Sequence, residues 1–445
     1  MELKNGDRIG IVGGGPAGSL TAFFLLDLAA QVDLDIQIDI FEPRNFRLTG
    51  PRGCNMCGGV ISESLVQKMA SDGIHLPNEI LIDTIAAYTL HTDRSSVRIK
   101  APLDEMRIAC IFRGGGPTGA EKQPPLPQIS FDNHLLELAK ERGAHHIGER
   151  VKGLEWESGR PCIIDQQGVR RRYDLLVGSL GLNSPALKLF EDLDFGYKPP
   201  QSTKAYVSEL YFGHEEVERL LDCAMHVFIL KIPGIKFIAI TPKGSYATLI
   251  ILGDKIDHDL VKRVYQSPEV KKCLPLGWEI PVQTCSCQPA INIGSPTQPF
   301  GDRVVLVGDC ASSRLYKDGI GAAYRMAKAL SYTAISRGVS AQSFRHSYLP
   351  ACRSLDWDNR LGHLMFFGDS LFRPFPFIQE AIISVIQEEQ NREDIPPRLS
   401  SALWDTFTGS ASYRNILMRS LHPWVVIRLL REAMKNLFRP TVSRK

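Results

Sequence analysis

The stretch from Arg8 to Glu42 limits what this chain can fold into more than any other. An apolar run, RIGIVG, enters Gly13-Gly14-Gly15-Pro16-Ala17-Gly18, which fits the pattern G-x-G-x-x-G. A helix-favouring stretch follows (SLTAFFLLDLAA), and a second apolar run, Ile36 to Glu42 (IQIDIFE), closes on an acid. Strand, glycine turn, helix, strand and acid together make one βαβ unit. Gly13 permits the tight turn, Gly15 lets the backbone approach a pyrophosphate, and Gly18, next to Ala17, lets helix pack on strand. The helix N-terminus supplies N–H groups and the positive end of a dipole for the phosphates. Glu42, 24 residues beyond Gly18, is placed to accept hydrogen bonds from a ribose diol. Glycines that merely shaped a turn would leave that acid unexplained. NAD and FAD both use such a site, so the motif sets a dinucleotide site and not its occupant.

Residues 302–327 (DRVVLVGDCASSRLYKDGIGAAYRMA) hold a second apolar strand, a Gly308-Asp309 pair, a turn of mostly small residues and a helix opening on Gly319-Ile320-Gly321. With this second motif the chain resembles the FAD-dependent oxidoreductases of the glutathione-reductase-type fold. Within them it is most similar to the geranylgeranyl reductase group, related to aromatic hydroxylases and flavin halogenases. The resemblance implies FAD as cofactor, Asp309 by the ribityl chain, and Gly319 and Gly321 at the flavin ring. A helix dipole there would stabilise an anionic reduced flavin. Relatives often carry a Pro after the Gly-Asp pair, where this chain reads Arg314-Leu315-Tyr316-Lys317-Asp318.

The resemblance continues between these ends, over roughly residues 8–350. Phe131-Asp132 and LLELAKERGA look like the family's Phe-Asp and its amphipathic helix, with a strand running toward Val151 beside the adenine. Arg113 stands where relatives place an Arg on the flavin nucleotide. Ser179-Leu180-Gly181 stands where they have an Asp-Gly pair, so the Asp associated with pyrophosphate and nicotinamide use is absent.

Residues 50–61 (GPRGCNMCGGVI) contain Arg52, assigned with the cofactor-binding residues, and Cys57-Gly58-Gly59, which resembles the Cys-Gly-Gly of geranylgeranyl reductases. There the element packs against the isoalloxazine, where a backbone without Cβ can lie close to a ring. Cys54 and Cys57 are the candidate catalytic residues, and three readings of them stand. Cys57 packs as a small side chain at the flavin with Cys54 incidental. Or the two exchange electrons with the flavin as a dithiol. Or they join Cys285 and Cys287 in a zinc or iron–sulfur site. No metal site is assigned.

Composition narrows the class. Charged residues at 23% and hydrophobic residues at 44% exclude a disordered or fibrous chain. A net charge of +3 gives no case for nucleic acid. No apolar run reaches the ~18 residues that span a bilayer, and the N-terminus does not read as a secretory signal. Ten Cys in 445 residues are too sparse for a disulfide scaffold and fit a reducing cytoplasm. The expected fold is α/β (α+β overall). A discontinuous Rossmann-like FAD-binding domain (1–84, 128–190 and 290–355) carries an inserted antiparallel-sheet substrate domain (85–127 and 191–289). A helical C-terminal region (356–445) follows. Strands are expected at Ala205–Phe212, Ala224–Ile232, Phe237–Thr241 and Tyr246–Leu252. In PGIKFIAITPKG (233–244), Ile238, Ala239 and Ile240 replace the aromatics usual in relatives, which reads as a wider apolar cavity or simply a buried strand. The Gly/Pro-rich 113–128 segment reads as a surface loop able to serve as a lid. The last 35 residues hold eight Lys/Arg against one Glu, interleaved with Leu417, Leu421, Trp424, Ile427, Leu430 and others. This pattern fits an interfacial anchor on the inner face of a membrane, or a helix packed on the protein with a solvated basic face.

The resemblance implies a reductase that saturates C=C bonds of a prenyl lipid or isoprenoid, with Cys57 positioning substrate or supplying a proton. Electrons would come from NAD(P)H or from an electron-donor protein such as reduced ferredoxin. A membrane-associated electron-transfer flavoprotein acting on a quinone is the alternative, then an FAD-dependent hydroxylase, then a scaffold without turnover.

Overall fold

The computed structural model describes residues 1–48, 50, 53–54, 58–103, 106–114, 129–280 and 285–438. Arg52, Cys57 and positions 115–128 of the expected lid loop lie outside them.

The first βαβ unit forms as its sequence predicts. The strand Asp7–Val12 pairs in parallel with Ile36–Phe41 on one side and Leu175–Gly178 on the other. Apolar side chains at Ile9, Ile11, Ile38 and Ile40 are fully or almost fully buried, as a strand covered on both faces requires. Among the described residues the sheet has six strands, in the order Phe300–Gly301, Val304–Leu306, Leu175–Gly178, Asp7–Val12, Ile36–Phe41, His145–Ile147. The helix Pro16–Gln31 is buried without interruption from Gly18 to Leu25, which explains why its sequence is apolar nearly all round. It packs against the helices Gly319–Ser336 and Phe131–Glu141.

A second sheet, of eight strands among the described residues, runs Cys285–Cys287, Ser202–Tyr211, Tyr246–Gly253, Ile235–Lys243, Ala224–Ile229, Ala87–Thr92, Ser96–Lys100, with Ala290–Asn292 also on Ser202–Tyr211. The four expected strands are all present in it. The sheet is mixed where an antiparallel one was expected, because Ala224–Ile229 lies parallel to Ala87–Thr92. Those two strands are far apart in sequence, so no hairpin dictates their sense. One face of this sheet packs helices His214–Leu221 and His258–Gln266 through Val217, Leu221, Leu260 and Val264. The other packs C-terminal segments through Ile383, Ile386, Leu399 and Trp404.

From Leu349 onward the described chain is mostly helical: Leu349–Phe372, Pro376–Asn391, Arg398–Thr408, Tyr413–Ser420 and Pro423–Leu437. No described helix is long and apolar enough to cross a membrane.

Candidate functional site

A cavity of ≈ 760 Å³ runs from the glycine turn to the eight-stranded sheet, within the ~300–1,000 Å³ of small-molecule sites. Its first end is built from Gly13 to Gly18. Gly13 has φ +107°, and a Cβ there would lie 2.4 Å from the Ser179 carbonyl oxygen. A Cβ on Gly18 would lie 1.9 Å from the Gly13 carbonyl oxygen. Both positions therefore exclude any side chain. Gly15 caps the helix Pro16–Gln31 without a side-chain hydrogen bond, and the first turn holds no acid. Its N–H groups and dipole are thus left for an anion.

Glu42 lines the cavity at 9% exposure. Its carboxylate accepts from the Gly14 N–H (3.0 Å) and the Arg44 N–H (2.9 Å). The acid expected to meet a ribose thus also ties the glycine turn to the second strand. Each carboxylate oxygen keeps capacity for a further donor. Ser179, in place of the family's Asp, donates from Oγ to the carbonyls of Gly13 (2.6 Å) and Val12 (3.0 Å). It holds the turn from beneath, a role an ionised carboxylate could not fill because it has no proton to donate.

The second motif meets the first directly. Gly308 has φ +81°, and a Cβ there would come 2.8 Å from the Ala17 Cβ. Asn292 Nδ2 donates to the carbonyls of Asp309 (2.9 Å) and Ala311 (3.2 Å), fixing the turn. The Asp309 side chain lines the cavity and is exposed to its interior, although protein atoms crowd around it. Desolvation pushes its carboxyl above the usual range, opposed by Ser313 and by the charge of Arg113. Arg113 lines the same cavity and makes a two-pronged ion pair with the fully buried Asp132, both contacts 2.6 Å. Sequence reading named both residues; the structure joins them.

The helix Gly319–Ser336 opens on the cavity, with one departure from expectation. Asp318, at φ +50°, caps it by accepting from the Gly321 N–H at 3.1 Å. Arg314 and Arg325 each donate to the same carboxylate at 3.1 Å. The positive helix end is therefore met by an acid already paired with two guanidinium groups. A Cβ on Gly321 would fall 2.1 Å from Asp318 Oδ1 and displace the capping carboxylate.

The 314–318 loop is where sequence reading saw least. Lys317 lines the cavity but is largely buried, its Nζ donating to the carbonyls of Asp405 (2.8 Å) and Ala411 (3.2 Å). Burial pulls its pKa down to about 7, with Arg314 adding to the fall and Asp405, Asp318 and Asp358 opposing it. Arg314 reaches the carbonyls of Gly409 and Ala411, both at 2.9 Å. Tyr316 and Asp318 both adopt left-handed backbone, uncommon for such residues and concentrated at functional loops. The readable signal was three charged residues, Arg314, Lys317 and Asp318, in the turn between Gly308-Asp309 and the helix.

The far end of the cavity is apolar. Met225, Phe237, Ala239, Ile250, Phe366 and Phe407 line it. Phe237 meets Phe366 in a stacked contact and Phe407 edge-on, with ring centres 6.5 and 5.5 Å apart. Two of these rings come from C-terminal helices that the sequence placed outside the cofactor motifs. Gly58 and Gly59 form part of the wall. A Cβ on Gly58 would lie 2.6 Å from Ile250 Cδ1, and one on Gly59, at φ +69°, 2.6 Å from the Ile111 carbonyl oxygen. Beneath Gly59, Lys243 pairs with the buried Glu209 at 3.2 Å. Cys285 and Cys287 lie on the strand next to Ser202–Tyr211, opposite Glu209 and Val207. Cys54 is half-buried, and its Cys57 counterpart is not described.

No protein-family model matches the chain, and no curated protein matches its sequence. Its fold is shared with solved structures. A geranylgeranyl bacteriochlorophyll reductase-like protein from Thermoplasma acidophilum superposes with a TM-score of 0.63 at 15% identity, over 96% of this chain and 100% of that one. The flavin-dependent brominase Bmp2 gives 0.63 at 14%, over 97% and 99%. A point mutant of the halogenase PltM, in complex with FAD, gives 0.61 at 11%, over 97% and 96%. The chain is an α/β protein with the Rossmann-like fold that these structures share.

Proposed function

We propose that the protein is an FAD-dependent oxidoreductase that saturates C=C bonds of a prenyl-type lipid. The observation that carries this reading is the two-ended cavity, with a dinucleotide cradle at one end and a wall of Met225, Phe237, Ile250, Phe366 and Phe407 at the other. The residues present fit FAD: a side chain on Gly13, Gly18 or Gly308 would collide with the backbone or side chain that shapes the cradle, and Glu42, Arg113 and Asp309 line the cavity. When bound, FAD supplies hydride chemistry, carrying two electrons from an external donor.

The chain's own part is positioning and exclusion of water. An isolated alkene offers no charge to hold, so selectivity rests on the apolar wall and on orientation. Each double bond takes up one hydride and one proton. Lys317, whose pKa burial lowers to about 7, is the proton source in this reading; the residue lines the cavity, and its Nζ is held by the carbonyls of Asp405 and Ala411. In the helix Pro423–Leu437, Val425 is buried while Ile427, Leu430, Met434 and Leu437 are each more than half exposed. Arg431 and Lys435 are exposed on the same helix. In this proposal that face rests on an anionic lipid surface and brings the cavity to its substrate. Trp424 is not part of it, being half-buried with Arg428 stacked over its ring.

The test is anaerobic. Protein loaded with FAD and reduced by dithionite is given geranylgeranyl-type lipids, and products gaining two hydrogens per double bond are sought by mass spectrometry. Full loading and reduction without saturation of any prenyl class would overturn the proposal. Lys317 and the Tyr316 hydroxyl on the cavity wall favour a second reading, hydroxylation of a phenolic substrate. That reading predicts an oxygenated product and consumption of O₂.

A further inference from the structure

We propose that His91, His226 and Cys273 form a binding site for a thiophilic d¹⁰ cation, Zn²⁺ or Cu⁺, separate from the cavity. His91 lies on Ala87–Thr92 and His226 on the parallel neighbour Ala224–Ile229. Phe228 is the register partner of His91, and side chains two apart on a strand share a face, so both imidazoles lie on one side of the sheet. Met225, adjacent to His226, projects to the other side and lines the cavity. Cys273 reaches the imidazoles from just beyond the short helix Pro268–Lys271. His226 and Cys273 are buried and His91 is mostly so, and one ligand atom from each lies within 4.8 Å of the others.

The hydrogen bonds of this cluster converge on one lone pair. His226 Nε2 is 3.2 Å from the Leu221 carbonyl oxygen. A carbonyl only accepts, so Nε2 carries the proton and Nδ1 presents a lone pair. Two groups converge on that one lone pair: His91 Nε2 at 2.9 Å and Cys273 Sγ at 3.2 Å. If both donate, they compete for a single acceptor. If His91 carries its proton on Nδ1 instead, two lone pairs face each other at 2.9 Å. One cation would take up the three lone pairs of His91 Nε2, His226 Nδ1 and Cys273 Sγ, with the thiol proton released on binding. An N–H of a ligating imidazole held by a backbone carbonyl, here the Leu221 contact, is the usual outer support of such a ligand. Metal–nitrogen bonds of ~2.0–2.1 Å and metal–sulfur bonds of ~2.3 Å require the contacts to open by only a few tenths of an ångström. Two imidazoles and a thiolate, with no carboxylate in the cluster, select soft or borderline ions over Mg²⁺ or Ca²⁺. The ion would pin the segment after Lys271 to two strands of the sheet.

The full-length protein is stripped with a chelator and titrated with Zn²⁺ alone or, under reducing anaerobic conditions, Cu⁺ alone, against a competing indicator. The expected result is one equivalent bound and a rise in melting temperature. Cys273→Ser should lower the affinity about tenfold or more, and His91→Asn should do the same if the serine variant does not fold. Substituting Co²⁺ should give a near-ultraviolet thiolate band that is absent in Cys273→Ser. Bound FAD should be unchanged in both variants, which separates this proposal from the reading of the cavity. Less than a tenth of an equivalent of either ion, or binding unaltered by the substitutions, overturns it.

Discussion

Gly308 faces Ala17 so closely that a Cβ on the glycine would stand 2.8 Å from that of the alanine. The turn that presents Asp309 is thus seated on the first turn of the helix Pro16–Gln31. The two glycine-rich motifs set each other's position.

That contact predicts a graded series. Gly308→Ala and Gly18→Ala should both lose bound FAD, measured as visible absorbance per chain. Gly18→Ala should be worse, because its Cβ meets backbone at 1.9 Å and overpacking of this kind costs about 1–3 kcal/mol or more. Gly148→Ala, whose Cβ meets nothing within 4 Å, should retain the cofactor.

Glu42→Gln replaces an acceptor-only group that holds two backbone N–H groups. Hydrogen bonds to a charged group are worth about 1.5–3 kcal/mol, so FAD affinity should fall roughly tenfold to a hundredfold. Circular dichroism should be unchanged. Equal affinity in the variant, by fluorescence titration, would remove Glu42 from the cofactor site.

Lys317 predicts a pH effect on stability. Its folded pKa is lowered to about 7, below the ~10.4 of a free lysine. Between those values the unfolded chain binds the proton and the folded chain does not, so stability rises with pH across that window. Arg314, Asp318, Asp358 and Asp405 act on this ammonium, and the Tyr413 ring lies 4.1 Å from it. The difference in urea midpoint between wild type and Lys317→Met should therefore be flat below pH 7 and grow in favour of wild type toward pH 10. A difference independent of pH would mean that Lys317 keeps an ordinary proton affinity.

The exposed face of the helix Pro423–Leu437 predicts sedimentation with anionic vesicles. Ile427→Glu with Leu430→Glu should abolish it and leave the melting temperature within about 1 °C, since both side chains project from the fold and such surface changes are near neutral. Undiminished sedimentation of the double variant would place the lipid contact elsewhere.

What could be read in the sequence was local. Gly13 to Gly18, Glu42, Gly308-Asp309 and the strand of each motif lie within short windows whose periodicity and turn chemistry carry their own meaning. The β-branched runs of the second sheet announced strands for the same reason. The parallel pairing of Ala224–Ile229 with Ala87–Thr92 could not be read, because a strand's pattern records which face is buried and not its neighbour. Phe366 and Phe407 reach the cavity only after the C-terminal helices have packed. Lys317 reads in the sequence only as part of the segment that replaces the Pro of relatives; its burial depends on the carbonyls of Asp405 and Ala411, some ninety residues away. His91, His226 and Cys273 carry no spacing signal, since three separate segments supply one residue each.

The clasp between Arg314 and the Gly409 and Ala411 carbonyls has a consequence for biosynthesis. A ribosome makes the glycine turn first, yet the strand Val304–Leu306 that flanks Leu175–Gly178 emerges much later. The residues that close over Lys317 come later still. A nascent chain therefore exposes an open, half-lined trough until Tyr413 has left the exit tunnel. A chain truncated before Phe407 would lack that ring in the cavity wall.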